Sequence, residues 1–179
     1  MISPDQSLLV IIDVQGKLAT LVHEPDSLSR HICQLIHAAK IFNIPIIHTE
    51  QVPEKLGTTI PAIAELLTAI PTISKRTFSC CGTPLFVQTI NNCKRQQIIL
   101  AGIETHVCVY QTACDLISQS YSTYVVADAV SSRTVSDKTL GLERMSSLGG
   151  NIVSTEMLIC EWTQSVDHPR FREIMALIK

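Results

Sequence analysis

Leu8-Leu-Val-Ile-Ile12 runs straight into Asp13-Val-Gln15. Five Leu and β-branched residues in a row, with no polar alternation, mark a strand covered on both faces, and such strands belong to parallel sheets. An acid directly after that run is costly unless it has a partner or opens into a cleft. Taken alone, Asp13 reads equally as a cap or a structural ion pair.

The same grammar repeats outward along the chain. Ile44-Pro-Ile-Ile-His48, Thr72-Ile-Ser74, Gln97-Ile-Ile-Leu-Ala101, Thr123-Tyr-Val-Val-Ala127 and Asn151-Ile-Val-Ser154 read as further strands. Between them lie helical patterns. One opens at Pro25-Asp26-Ser27 with Ile32, Leu35, Ile36 and Ala39 on one face, and one opens at Gly82-Thr-Pro84. A third runs from His106 to Ser118, with Val107, Tyr110, Cys114 and Ile117 at helical spacing. Gln51 to Pro61, with Pro, Gly and Thr, reads as a loop. Alternating strands and helices with short connections predict an α/β fold, a parallel sheet with helices on both faces. The 179 residues contain no repeat or linker, so residues 1–179 are expected to form one domain.

Composition narrows the function. The net charge of −2 comes from scattered acids and bases without a basic stripe, which argues against a nucleic-acid partner. Met1-Ile-Ser-Pro-Asp-Gln6 lacks a basic leader, and the apolar run after it is too short for a signal peptide or a membrane span. A cytoplasmic protein without membrane contact is expected. Seven cysteines, without a CxxC pair, argue for reduced thiols rather than a disulfide framework. Cys33, Cys93, Cys114 and Cys160 fall in or near apolar helical patterns and read as packing residues.

In open parallel sheets, functional groups collect at the carboxyl ends of strands. The first strand ends in Asp13, the third in Lys75, and the fourth in Gly102-Ile-Glu-Thr-His-Val-Cys108. Cys108 falls in the first turn of the helix that follows, where the helix dipole favours a thiolate. A nearby Lys75 would favour it further, and Asp13 could carry protons between thiol, leaving group and water. A lone lysine in such a place is otherwise a solvated surface charge. Cys80 and Cys81 lie near enough to line the same pocket. Other chemistries lack their motifs: there is no HxH or HExxH, no GxGxxG after the first strand, no P-loop and no GxSxG elbow.

Together these residues resemble the isochorismatase-like cysteine hydrolase family. The matching pieces are Val10-Ile-Ile-Asp13-Val-Gln15, Lys75 with Phe78-Ser79, Gly102-Ile-Glu-Thr-His-Val-Cys108-Val and Val126-Ala-Asp128-Ala-Val-Ser-Ser132. Within it the chain looks closest to the isochorismatase domain-containing proteins. That likeness rests on Thr49-Glu-Gln-Val-Pro53 with Leu56-Gly57, Ser131-Ser-Arg133, and a tail with His168-Pro169, Phe171 and Glu173-Ile174.

The resemblance implies a Rossmann-like three-layer α/β/α fold with six parallel strands. It implies Cys108 as nucleophile, Asp13 as general base and acid, and Lys75 as the group that stabilises the thiolate. It also implies a non-proline cis peptide between Ile103 and Glu104, aiming the N–H groups of Glu104 and Cys108 at an oxyanion. The cysteine points to a small amide or related C–N bond rather than the vinyl ether of isochorismate, because true isochorismatases usually lack it. The nicotinamidase branch carries an Asp-x-His metal motif after the second strand. Gln51 stands in place of that acid here, so no metal and no cofactor are expected. Gln51 either faces the substrate or ties its loop down. Gln15, Leu18, Phe78 and Thr105 are candidate pocket walls by position. A homo-oligomer, dimer or larger, is expected. Two other readings stand beside the hydrolase: a binding or scaffold protein with little turnover, and a redox sensor in which Cys80 or Cys81 resolves an oxidised Cys108.

Overall fold

The computed structural model describes residues 1–179. Six strands, β1 (Ser7–Ile12), β2 (Ile46–Gln51), β3 (Thr72–Lys75), β4 (Gln97–Ile103), β5 (Ser122–Ser131) and β6 (Asn151–Val153), pair in the order β3-β2-β1-β4-β5-β6. Every pairing is parallel. The helices are α1 (Leu18–Leu21), α2 (Pro25–Ile41), α3 (Pro53–Leu56), α4 (Pro61–Ala64), α5 (Pro84–Cys93), α6 (Tyr110–Ser118), α7 (Val135–Ser147), α8 (Thr155–Thr163) and α9 (Phe171–Leu177).

The unbroken apolar run of β1 has a direct packing reason. Leu9 and Ile11 enter one core with Ile32, Leu35 and Ile36 of α2 and with Leu158 and Ile159 of α8. Leu8, Val10 and Ile12 enter the other, with Phe86 and Ile90 of α5, Ala113 and Leu116 of α6 and Met145 of α7. Alternate side chains thus feed two helical layers, and the sheet is the middle of a three-layer sandwich.

The strand order reverses direction between β1 and β4, the switch point at which open α/β sheets leave a crevice beyond the strand ends. Here the two backbones approach unusually closely. Gly102, paired with Ile12, has φ +122°, and a Cβ on it would strike the Ile12 carbonyl. Only glycine fits that position without displacing β1.

Most strands run further at their carboxyl ends than the sequence pattern suggests, though β6 stops at Val153, one residue short of it. β2 continues to Gln51, so Gln51 is a strand residue in register with Lys75 rather than the start of a loop. β5 extends to Ser131 past a register break opposite Leu100 and Gly102. In that irregular stretch, Asp128 accepts from the N–H and the hydroxyl of Thr155, both at 2.9 Å, and so holds the start of α8. Cys160 departs from its expected packing role: it is exposed.

Candidate active site

Asp13, directly after β1, has φ +52°, a left-handed conformation that aspartate tolerates better than most residues. Its Oδ1 accepts a hydrogen bond from Thr49 Oγ1 of β2 at 2.7 Å. Its Oδ2 lies 2.6 Å from Lys75 Nζ. The ion pair occupies Oδ2 on the lysine side, and the carboxylate is also close enough to Cys108 to act on its thiol. The carboxylate therefore has the partner that its burial demands.

Lys75 is not a surface lysine. Its side chain is 0% exposed. Besides Asp13, its ammonium donates to Gln51 Oε1 at 2.6 Å and to the carbonyls of Thr77 and Phe78 at 3.1 and 3.0 Å. Four oxygens surround a group with three protons, so none of its hydrogen-bonding capacity is left over. Gln51 lines the pocket and also ties the ends of β2 and β3 together. It holds the lysine through Oε1 and the Arg76 carbonyl through Nε2, 3.0 Å.

Cys108 sits after β4, and the Ile103–Glu104 peptide that precedes its helix is cis. The helix opens with one π-helical turn over Thr105–Val109, in which Val109 N–H reaches back to the Glu104 carbonyl at 3.2 Å, before α6 begins at Tyr110. The expected α-helix from His106 thus starts a residue earlier and wider, a local irregularity common at functional sites. The N–H of Glu104 donates to no backbone acceptor. Glu104 Oε1 accepts from the main-chain N–H and the Nε of Arg133, at 3.2 and 3.0 Å, anchoring this turn to the end of β5.

These three strand ends enclose a pocket of about 110 Å³. Asp13, Gln51, Glu104 and Cys108 line it together with Ile103 and Val107. Leu18, Leu56 and Phe78 complete the wall, and Leu56 and Phe78 are exposed apolar side chains at its mouth. Gln15 also lines it, but as a clamp. Its Nε2 donates to the carbonyls of Gln51 and Gly57, and its Oε1 accepts from Gln51 N–H at 2.6 Å. Gln15 thereby fastens α3, which carries Leu56, over the site.

Thr105 is a correction. It is fully buried beneath Gly141 of α7, and the pocket does not reach it. A residue two positions from another in a tight turn points elsewhere, and the π turn sends this one into the α7 contact. Cys80 and Cys81 do not line the pocket either. Cys80 packs beneath it, 3.9 Å from Thr49 Oγ1. Sequence reasoning missed Leu56, Ile103 and Val107 as walls. Leu56 was visible only as half of a Leu-Gly pair whose loop could not be placed.

Electrostatics also depart from expectation at the thiol. Burial, with the adjacent Asp13 carboxylate as the next cause, pushes Cys108 up to about 12, and Lys75 only partly opposes them. Burial and Asp13 thus act against the expected dipole-stabilised thiolate and favour the protonated thiol. Cys80, more deeply buried, is pushed up to about 11 by the same desolvation. No three His, Cys, Asp or Glu side chains converge to hold a metal ion, and both ends of Gln51 are taken. The residues present do not fit a nicotinamidase-type metal set.

The model of the isochorismatase domain matches residues 7–157 of this sequence. The chain belongs to the isochorismatase family. Family relatives match over nearly its full length. Isochorismatase domain-containing protein 2A of Mus musculus is 32% identical, the match covering 99% of this chain and 85% of that protein. The secreted isochorismatase effector Isc1 of Phytophthora sojae is 34% identical over 98% of this chain and 86% of its own. Among solved structures, the MAR1 ribonuclease of Caenorhabditis elegans is 38% identical with a TM-score of 0.93, covering 99% of this chain and 91% of that one. The octameric YcaC hydrolase of Escherichia coli, 24% identical with a TM-score of 0.88, shares the fold over 98% of this chain and 94% of its own.

Proposed function

We propose that this chain is a metal-free cysteine hydrolase that cleaves a small amide or related C–N bond, with Cys108, Asp13 and Lys75 as its working groups. The observation that carries the reading is that Asp13 and Cys108 line one pocket at the ends of β1 and β4, with Lys75 of β3 paired to Asp13 behind it and no backbone acceptor for the Glu104 N–H.

The sulfur of Cys108 attacks the amide carbon while its proton passes to Asp13, because a thiol pushed up to about 12 does not release it beforehand. The carbonyl π electrons move onto oxygen, which the N–H groups of Glu104 and Cys108 stabilise. Collapse breaks the C–N bond, Asp13 returns the proton to nitrogen, and ammonia leaves a thioester. Water then attacks the thioester and gives its proton to Asp13. The C–S bond breaks, the proton returns to sulfur, and the carboxylic acid departs. Lys75 keeps Asp13 oriented and compensates its charge throughout.

In this reading the acceptor role of Asp13 replaces prior ionisation of the thiol. A homo-oligomer fits the octamer described for the E. coli relative. The experiment is an ammonia-release screen over small primary amides with wild type and Cys108→Ala. Release that disappears in the variant, with folding unchanged by circular dichroism, is expected. Release near wild type in Cys108→Ala would remove the nucleophile assignment.

A further inference from the structure

We infer that the pocket takes an uncharged, short aliphatic amide and turns away substrates bearing a carboxylate or phosphate near the reacting carbon. This rests on the hydrolase reading above for its reaction, but the selectivity follows from the pocket alone. The one cation beside the site is Lys75, and its ammonium is already ringed by Asp13, Gln51 and two carbonyls. Arg133 approaches only from behind Glu104 and is not part of the lining. Of the two acidic residues on the lining, Asp13 and Glu104, the Glu104 carboxylate is held by Arg133, and neither residue offers a cation to a ligand. Any anion entering would lose its water and find no free cation to replace it, since Lys75 and Arg133 are already taken by the protein's own oxygens, which is the costly case of burial.

The remaining walls fix the rest of the ligand. Leu18, Leu56, Phe78, Ile103 and Val107 are apolar, and they suit a hydrocarbon tail. A volume of about 110 Å³ holds roughly four water-sized groups, since each water occupies about 30 Å³ in the liquid. An amide head and a tail of a few carbons fill it. The dianionic ring of an isochorismate-type vinyl ether carries two carboxylates into the same place and is excluded by charge.

Two measurements separate this inference from the hydrolase reading. The first titrates Cys108→Ala protein with butanamide and with butanoate, read by NMR shifts of the Leu56 and Phe78 side chains. Saturable butanamide binding with butanoate weaker by about 100-fold or more is expected from the uncompensated charge. Butanoate binding as tightly as butanamide, or no butanamide binding, overturns the inference whatever the catalytic outcome. The second alkylates wild type with iodoacetamide and iodoacetate, using exposed Cys160 as the internal reference. A preference for the neutral reagent far larger at Cys108 than at Cys160 is expected, and equal preferences overturn it. If Cys108 resists both reagents while butanamide still binds selectively, the hydrolase reading fails and the pocket's selectivity stands. Leu56→Lys, at an exposed wall position, supplies the missing cation and should restore butanoate binding. A Leu56→Lys protein that folds, keeps its butanamide affinity and gains none for butanoate counts against charge as the cause.

Discussion

The protonated Cys108 makes the protein's stability depend on pH in a way that one variant isolates. An unfolded thiol ionises near 9, whereas in the folded protein burial and Asp13 hold the proton up to about 12. Above the unfolded value the unfolded chain has released a proton that the native state still binds, so stability falls as pH rises. The contribution is fully present below about 9 and is lost on the way to about 12, at about 1.4 kcal/mol per pH unit. Between pH 9 and 10.5 this one group should remove about 2 kcal/mol. The assay is guanidinium unfolding of wild type and Cys108→Ala at pH 7, 9 and 10.5. The variant leaves a small cavity whose cost does not change with pH, and Cys80, also pushed up, titrates in both proteins. Wild type should therefore lose about 2 kcal/mol more than Cys108→Ala across that interval. Parallel pH–stability curves would show that the thiol is not held protonated and would refute the account of the resting site.

Three further outcomes follow from the same contacts. Lys75→Met strands a buried carboxylate and should cost about 3–5 kcal/mol, a fall in Tm of roughly 6–20 °C; adding Asp13→Asn should recover much of it, and simple additivity in thermal melts would show the pair is uncoupled. Gly102→Ala drives a Cβ into the Ile12 carbonyl and should destabilise by about 3–5 kcal/mol or abolish soluble expression, so a native-like melting curve would contradict the close β1–β4 approach. Alkylation of Cys108 by iodoacetamide should be nearly flat from pH 6 to 8, with Asp13 as base, whereas an ordinary thiol accelerates about tenfold per unit up to about 8.5. A tenfold-per-unit rise at Cys108 in peptide-resolved mass spectra would exclude assistance by Asp13.

The parts of this molecule legible in the sequence are those set by burial on both faces. Leu8–Ile12 and Gln97–Ala101 have no polar alternative, and they determine the parallel sheet and hence the crevice at their ends. Asp13, Lys75 and Cys108 could be nominated because each follows such a strand. What the pattern could not show is how side chains turn once the strands end. Thr105 points under Gly141 because the helix opens with a π turn, and nothing in Glu-Thr-His-Val distinguishes that turn from an α-helical one. Gln51 was placed in a loop because Val-Pro follows it, yet its pairing with Lys75 in β3 keeps it in the sheet. His48 and His106, both near strand ends, bond the Ile70 carbonyl and the Ser132 hydroxyl, at 3.0 and 2.9 Å.

The thiol is the most instructive departure, because its charge state depends on what Lys75 has left to give. A helix start and a nearby lysine predict a thiolate when the lysine is free, and here Lys75 is paired with Asp13 at 2.6 Å. With the thiol protonated, the set of Lys75, Asp13 and Cys108 carries no net charge. Ionising it would place an extra negative charge in a site whose only adjacent cation is saturated, a costly arrangement at low dielectric. In the proposed reaction, negative charge becomes tolerable when a bound carbonyl moves it to an oxygen that the Glu104 N–H can reach. The same inventory that keeps the thiol neutral at rest also leaves no cation for a charged substrate. On the proposed reading, nucleophile activation and substrate choice therefore share one cause, the complete use of Lys75 by the protein's own oxygens.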